Sequence, residues 1–291
     1  MPAKPKPKIM KRREFVQTAS FAAVGMLSMP SFLAAGKRSK NIGLQLYTLR
    51  DTIGTDPKGV LEKVASFGYK ELETYGYADG KIFGMDFTEF CKFCKGLGMD
   101  VVSGHYGLDK IKGDTWQKAV DDAKKNGQKY MVVPYIAEPE RKTIDDYKKI
   151  CADLNAAGEV CNANGIRFGY HNHAFEFAQL DGQVPYDVML KELDHKKVGM
   201  EMDIFWVVNA GINPVKYFTE YPGRFEQWHV KDMDKNDRNK NADIGTGSIN
   251  YQTLFGNAKL SGMKHWYVEQ ETYSGAPIDS VAASAKFLKN L

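Results

Sequence analysis

Between residue 42 and the C-terminus, short apolar β-prone runs alternate with helical segments eight times. The runs fall at 42–46, 69–73, 100–105, 130–133, from 167, 198–203, 225–232 and 265–269. Helical patterns follow them at 57–67, 86–97, 116–125, 144–163, 186–193, from 214, 251–260 and 280–288. Glycines close many of these segments, as at Gly68, Gly98, Asn126-Gly127 and Asn164-Gly165. A repeat of roughly 27–40 residues is that of a βα unit, and no conventional sequence repeat accompanies it. Eight βα units predict a closed (β/α)8 barrel. The rival, a doubly wound open sheet, carries a glycine-rich phosphate turn after an early strand. No GxGxxG or GxxxxGK[ST] follows any run here, and Gly245-Thr246-Gly247 reads as a turn.

In such a barrel the C-terminal strand ends surround one mouth, where catalytic groups sit. The fifth run, Arg167-Phe168-Gly169-Tyr170-His171-Asn172-His173-Ala174-Phe175-Glu176-Phe177, delivers two of the chain's six histidines and a carboxylate where strand gives way to loop. His171 and His173 share a face if the strand continues through them. The sixth run ends in Glu201 and Asp203, followed by Trp206. The seventh ends in His229, Lys231 and Asp232, the eighth in Glu269 and Glu271, and the third in His105. Carboxylates crowded without a cation raise one another's pKa values. A divalent metal relieves that, and a mixed set of carboxylates and imidazole suits Mn2+, Mg2+, Co2+ or Zn2+, with Mn2+ favoured where carboxylates dominate.

Taken together, Tyr170–Phe177, Asp203-Ile204-Phe205-Trp206, His229-Val230-Lys231-Asp232 and Val268-Glu269 resemble the sugar phosphate isomerase/epimerase family, over roughly residues 41–291. These xylose-isomerase-like barrels include inosose dehydratases, ketose 3-epimerases and 3-keto-glycoside lyases. The resemblance implies one divalent metal, held by Asp203, His229 and Glu269 with a ligand from strand five. Many relatives have a glutamate beside the Asn-His pair, where this chain has His171. His171, His173 or Glu176 is therefore the fourth ligand. Glu176 is the expectation, which leaves the histidines for proton transfer.

The chemistry that follows is proton abstraction next to a carbonyl, with an enediolate stabilised by the metal. His171 or His173 and Glu269 would flank the substrate carbon, an imidazole being apt as the base. Lys231 would hold a substrate oxygen or polarise the carbonyl. Tyr47, His105, Glu201 and Trp206 are the substrate-binding candidates, with Tyr47, Trp206 and Trp228 as apolar walls for a sugar face. Two opposed bases give epimerisation; a base and an acid aimed at a β-leaving group give elimination. A non-catalytic sugar-binding barrel and a metal-dependent phosphodiesterase akin to abasic-site nucleases are the alternatives. The second needs several metals, more than six histidines and a basic groove.

The formal charge of +4 comes from residues 1–35, which hold six basic residues and one acid; the remainder has 34 basic and 35 acidic residues. Nucleic acid is therefore not an expected partner. Lys11-Arg12-Arg13-Glu14-Phe15-Val16-Gln17 resembles a twin-arginine export motif, followed by an apolar run from Thr18 to Leu33 and a small-residue site at Ala34-Ala35. Residues 1–35 are thus an expected signal and 36–291 one catalytic domain. The expected location is the periplasm, by way of the twin-arginine machinery, with the signal cleaved or kept as an anchor. An exported enzyme meets free sugars, glycosides or keto-glycosides rather than sugar phosphates. A sugar oxidoreductase partner that supplies the keto-sugar, and an oligomeric assembly, complete the expected partners. Cys91 and Cys94 have the spacing of a zinc or redox pair but lie on a predicted amphipathic helix without a second CxxC, so they read as packed thiols.

Overall fold

The structure, a computed structural model, describes residues 41–291. The predicted export signal lies outside the described residues.

Eight parallel strands close into one barrel in consecutive order. They are β1 (Gly43–Gln45), β2 (Glu71–Thr74), β3 (Asp100–His105), β4 (Tyr130–Val133), β5 (Arg167–His171), β6 (Val198–Asp203), β7 (Phe225–Val230) and β8 (His265–Val268). The main helices between and after them are α1 (Pro57–Ser66), α2 (Phe87–Gly96), α3 (Gly113–Lys125), α4 (Ile144–Ala163), α5 (Pro185–Glu192), α6 (Pro214–Glu220), α7 (Tyr251–Gly256) and α8 (Pro277–Lys289). The fold is the (β/α)8 barrel that the alternation predicts.

Local chemistry starts these helices. Proline opens α1, α5, α6 and α8, where its missing N–H costs nothing. Asp56 caps α1, and Asp86 caps α2 by accepting from the N–H groups of Thr88 and Glu89. Thr143 and Asp146 exchange the reciprocal bonds of a capping box at α4.

Strand alternation divides the molecule into two environments. Phe168 and Tyr170, Met200 and Met202, and Trp228 and Val230 point outward into the apolar layer under the helices. Between them His171, Glu201, Asp203, Gln227 and His229 point into the barrel. The interior is therefore polar along its length. At its N-terminal end the Arg167 guanidinium meets Glu226 at 2.8 Å, Lys264 meets the same carboxylate at 2.7 Å, and Glu71 pairs with His265 at 2.7 Å. Gly199 makes room for this layer, because a Cβ there would press on Arg167 and Glu226.

Three local features depart from the sequence expectations. Strand seven ends at Val230, and Asp232–Met233 pairs instead with Asn241–Ala242. The seventh helix breaks at Asn257 into α7 and a short turn, Ala258–Ser261. A helix over Ile204–Asn209 follows strand six. The Gly245-Thr246-Gly247 segment is a turn around a carboxylate: Asp232 accepts the N–H groups of Met233, Gly245, Gly247 and Ile249. Gly245 has a φ of +90°, which a side chain would strain.

Candidate metal centre and active-site mouth

Strand geometry stacks the site in layers. Asp203 is level with His229 across the β6–β7 ladder, and Glu201 is level with His171 across β5–β6. Because residues two apart share a face, Glu201 lies directly beneath Asp203, and Lys231 directly above His229. Glu269 follows the last residue of β8. The Asn172 side chain ties the ends of β5 and β6 together: its oxygen accepts the N–H of Asp203 and its amide donates to the carbonyl of Asp203.

Two ligand sets result. Donor atoms of Asp203, His229 and Glu269 lie within 4.8 Å of one another, and so do those of His105, His171, Glu201 and His229. Nδ1 of His229 stands 3.0 Å from Glu269 Oε2, while Nε2 stands 2.6 Å from Glu73 Oε2 and 3.1 Å from Glu201 Oε1. Glu201 Oε1 also meets His105 Nε2 at 2.9 Å and His171 Nδ1 at 3.1 Å. Spending Nδ1 of His171 on Glu201 leaves its Nε2 toward Asp203, 3.8 Å from Oδ2. Lys231 Nζ touches Asp203 at 3.0 Å, Glu269 at 2.7 Å and Glu271 at 2.5 Å.

Burial and charge set the protonation of these groups. Burial works against ionised Glu73 and Glu269, yet the cations around them hold both carboxyls well below the ordinary range. Burial likewise opposes charge on His105, but Glu73 and Glu201 push it up to about 9. Burial raises the Asp203 carboxyl to about 6, against the pull of Lys231. Burial holds His171 well below its usual value, and burial with Lys231 lowers His173 to about 3. Two neutral imidazoles thus stand beside a strongly ionic cluster.

The donor set fits a divalent cation. Asp203, Glu269 and Glu271 crowd around Lys231 and Glu73, Glu201 and Glu269 around His229, and Glu201 Oε2 is buried with no hydrogen-bond partner. A buried carboxylate oxygen in that condition is costly unless a cation meets it.

Above the cluster lies a cavity of about 430 Å³, lined by Tyr47, Tyr75, His105, Tyr135, His171, His173, Glu269 and Glu271 together with Gly76 and Pro134. Tyr47 and Tyr135 are 39% and 45% exposed, two of the four most exposed large apolar residues described. Tyr47 packs edge-on against Tyr75, and Tyr135 edge-on against His173 and Phe175. No lysine or arginine is in the lining.

The sequence candidates fall into three places. His171, Asp203, His229, Lys231, Glu269, His105 and Glu201 come together in the cluster. His173 and Tyr47 line the cavity. Glu176 and Trp206 do neither. Glu176, expected to turn back to the metal, accepts the Tyr170 hydroxyl at 2.6 Å and the His173 N–H at 2.9 Å; both its oxygens hold the turn after β5. Trp206 backs the His173 ring at 5.6 Å, and Trp228 stacks on Phe218 in the core. The sequence reading passed over Glu73, Tyr75 and Tyr135. Glu73 carried a signal, since it is an acid at the end of the second run, like Glu269 in the eighth.

A family model described as xylose isomerase-like TIM barrel matches residues 61–291. A sugar phosphate isomerase/epimerase from Parabacteroides distasonis superposes with a TM-score of 0.76 at 30% identity, covering 85% of this chain and 96% of that one. An inosose dehydratase of Geobacillus kaustophilus is 22% identical over 60% of this chain and 61% of its own length. One from Clostridium beijerinckii is 21% identical over 50% and 54%. The chain thus spans between half and two thirds of the length of the curated relatives it matches.

Proposed function

Because the chain belongs to the xylose isomerase-like TIM barrel family, we propose that it is a divalent-metal-dependent enzyme that abstracts a proton next to the carbonyl of an unphosphorylated sugar or glycoside, as an isomerase, epimerase or lyase. The observation that carries this reading is the convergence of Asp203, His229 and Glu269 beneath a cavity whose lining includes the neutral imidazoles of His171 and His173.

Asp203, His229 and Glu269 would hold the metal. His171 is the strand-five donor, because its Nδ1 is spent on Glu201 and its Nε2 faces Asp203, whereas Glu176 has no free oxygen. Mn2+ is the first candidate, and the second imidazole also suits Zn2+. A bound divalent cation supplies Lewis acidity to adjacent carbonyl and hydroxyl oxygens.

The chain's own groups do the rest. His173 lines the cavity and its imidazole is held neutral by burial and Lys231, so the ring is the group in the lining that would take a proton from a substrate carbon. Glu271 lines the same cavity and can hold a substrate hydroxyl. Glu73 and Glu201 fix the His229 ring from the side opposite Glu269. Tyr47 and Tyr135 offer apolar walls to a sugar ring and shield the site from water.

The lining offers no arginine or lysine and sets Glu269 and Glu271 beside His105, which supports an uncharged substrate over a sugar phosphate, since phosphate recognition calls for Arg, Lys or a helix N-terminus. The twin-arginine resemblance of residues 11–17 supports the same choice, and with it a periplasmic location. The test is proton NMR in heavy water, with Mn2+-loaded protein and either a 3-keto-glucoside or a free ketose. Deuterium entering beside the carbonyl with release of the aglycone identifies a lyase. Deuterium entering with the product an epimer or isomer identifies those activities. No exchange by metal-loaded protein on either substrate would overturn the proposal.

A further inference from the structure

We infer that the Lys231 ammonium is a built-in cation that holds the place of the metal, and that metal loading drives it off Asp203 and Glu269 onto Glu271 alone. The inference rests on the metal reading above. It goes beyond that reading by assigning Lys231 and Glu271 opposite effects on metal affinity.

Lys231 Nζ contacts Asp203 Oδ2, Glu269 Oε2 and Glu271 Oε1. The Glu271 contact is a hydrogen bond, and those to Asp203 and Glu269 are ion pairs. Asp203 and Glu269 are two of the three residues of the candidate metal set, and Glu269 Oε2 is also the oxygen nearest His229 Nδ1, the third. The ammonium therefore sits among the very atoms that a metal would need. The Lys231 side chain is 1% exposed, and those of Asp203 and Glu269 are 0% and 7% exposed, so little water screens a lysine from a dication. Both cannot keep the same oxygens.

The third contact supplies the way out. Glu271 is not in the metal set, its side chain is 33% exposed, and it lines the cavity. It is already the shortest of the three contacts. A lysine released from Asp203 and Glu269 keeps Glu271 without travelling far, and that carboxylate still neutralises it. Without a metal, the ammonium keeps the buried acids from repelling one another, so the barrel folds before it is loaded.

The test is Mn2+ affinity by calorimetry on the full chain, in wild type, Lys231→Met, Glu271→Gln and the double variant. Lys231→Met should tighten binding about ten-fold, and Glu271→Gln should weaken it about ten-fold, within the range that groups around a metal exert. In the Lys231→Met background, Glu271→Gln should change affinity by less than about two-fold, because its effect runs through the lysine. Additive effects, or unchanged or weaker binding by Lys231→Met, overturn the inference. Should Lys231→Met fail to fold, crystals of wild type grown with and without Mn2+ decide the matter. Nζ must leave Asp203 when metal is bound, and an unmoved Nζ overturns the inference. Absence of Mn2+ binding by wild type itself would instead overturn the metal reading.

Discussion

The Tyr170 hydroxyl donates a 2.6 Å hydrogen bond to Oε1 of Glu176, deep under the turn that follows the fifth strand. Burial raises this carboxyl from 4.5 to about 7, against the hydrogen bonds it accepts. The folded protein therefore retains a proton that the unfolded chain releases between those values. That contribution to stability is full below pH 4.5 and is lost as pH rises through about 7. Glu176→Gln removes it. Relative to wild type, the variant should gain stability from pH 5 to 7 by up to about 1.4 kcal/mol per pH unit. Denaturant melts at several pH values check this; parallel curves would refute it.

The turn after β7 depends on Asp232. Its carboxylate accepts four backbone N–H groups. Asp232→Ala should cost about 2–4 kcal/mol, since several buried donors lose their acceptor at once. Gly247→Ala should also destabilise, because a Cβ there would strike Asp232 and the Met233 carbonyl. Urea unfolding of the two variants measures both effects.

At the opposite end of the barrel, Arg167 meets Glu226 and the carbonyl oxygens of His195 and Lys196. Arg167→Met should lower stability by about 2 kcal/mol, because a charged hydrogen-bond network loses its centre while Glu226 keeps only Lys264 and Tyr130. Activity per folded molecule should be unchanged, since this layer lies far from the mouth.

Removing metal should be visible as lost stability. At a free metal concentration 100 times Kd, binding contributes about 2.7 kcal/mol. For a domain of this size, chelation should then lower Tm by about 5–10 °C. Asp203→Asn and Glu269→Gln should each cut metal affinity by more than about 100-fold and abolish turnover with the barrel intact by circular dichroism. Full activity of Glu269→Gln would sink the mechanism.

The barrel was legible because its strands alternate: outward residues such as Phe168, Tyr170, Met200 and Trp228 write an apolar period into the chain. The same alternation hid Glu73. In Glu71-Leu72-Glu73 the acids look like the wet side of a strand, whereas here that side is the buried barrel interior. The sixth run ends at Asp203 with no element expected over 204–209, where the structure has a helix. Asp203 makes it a helix by accepting the Trp206 N–H. The position of Glu176 was beyond a sequence reading, because it depends on a phenol six residues back that reaches it only once the turn has formed. His171 looked like a base from its spacing. Only the ring geometry shows one nitrogen committed to Glu201.

Cys94, Cys151 and Cys161 are buried and Cys91 is half-buried, and none of these four cysteines, the chain's full complement, forms a disulfide. Burial pushes the thiols of Cys91 and Cys151 up to about 12, and those of the other two higher still. Thiolate is the species that attacks disulfides and meets oxidants, and at neutral pH almost none exists here. The covalent framework of the barrel therefore has no crosslink for a reductant to break, and its thiols offer an oxidant little to attack.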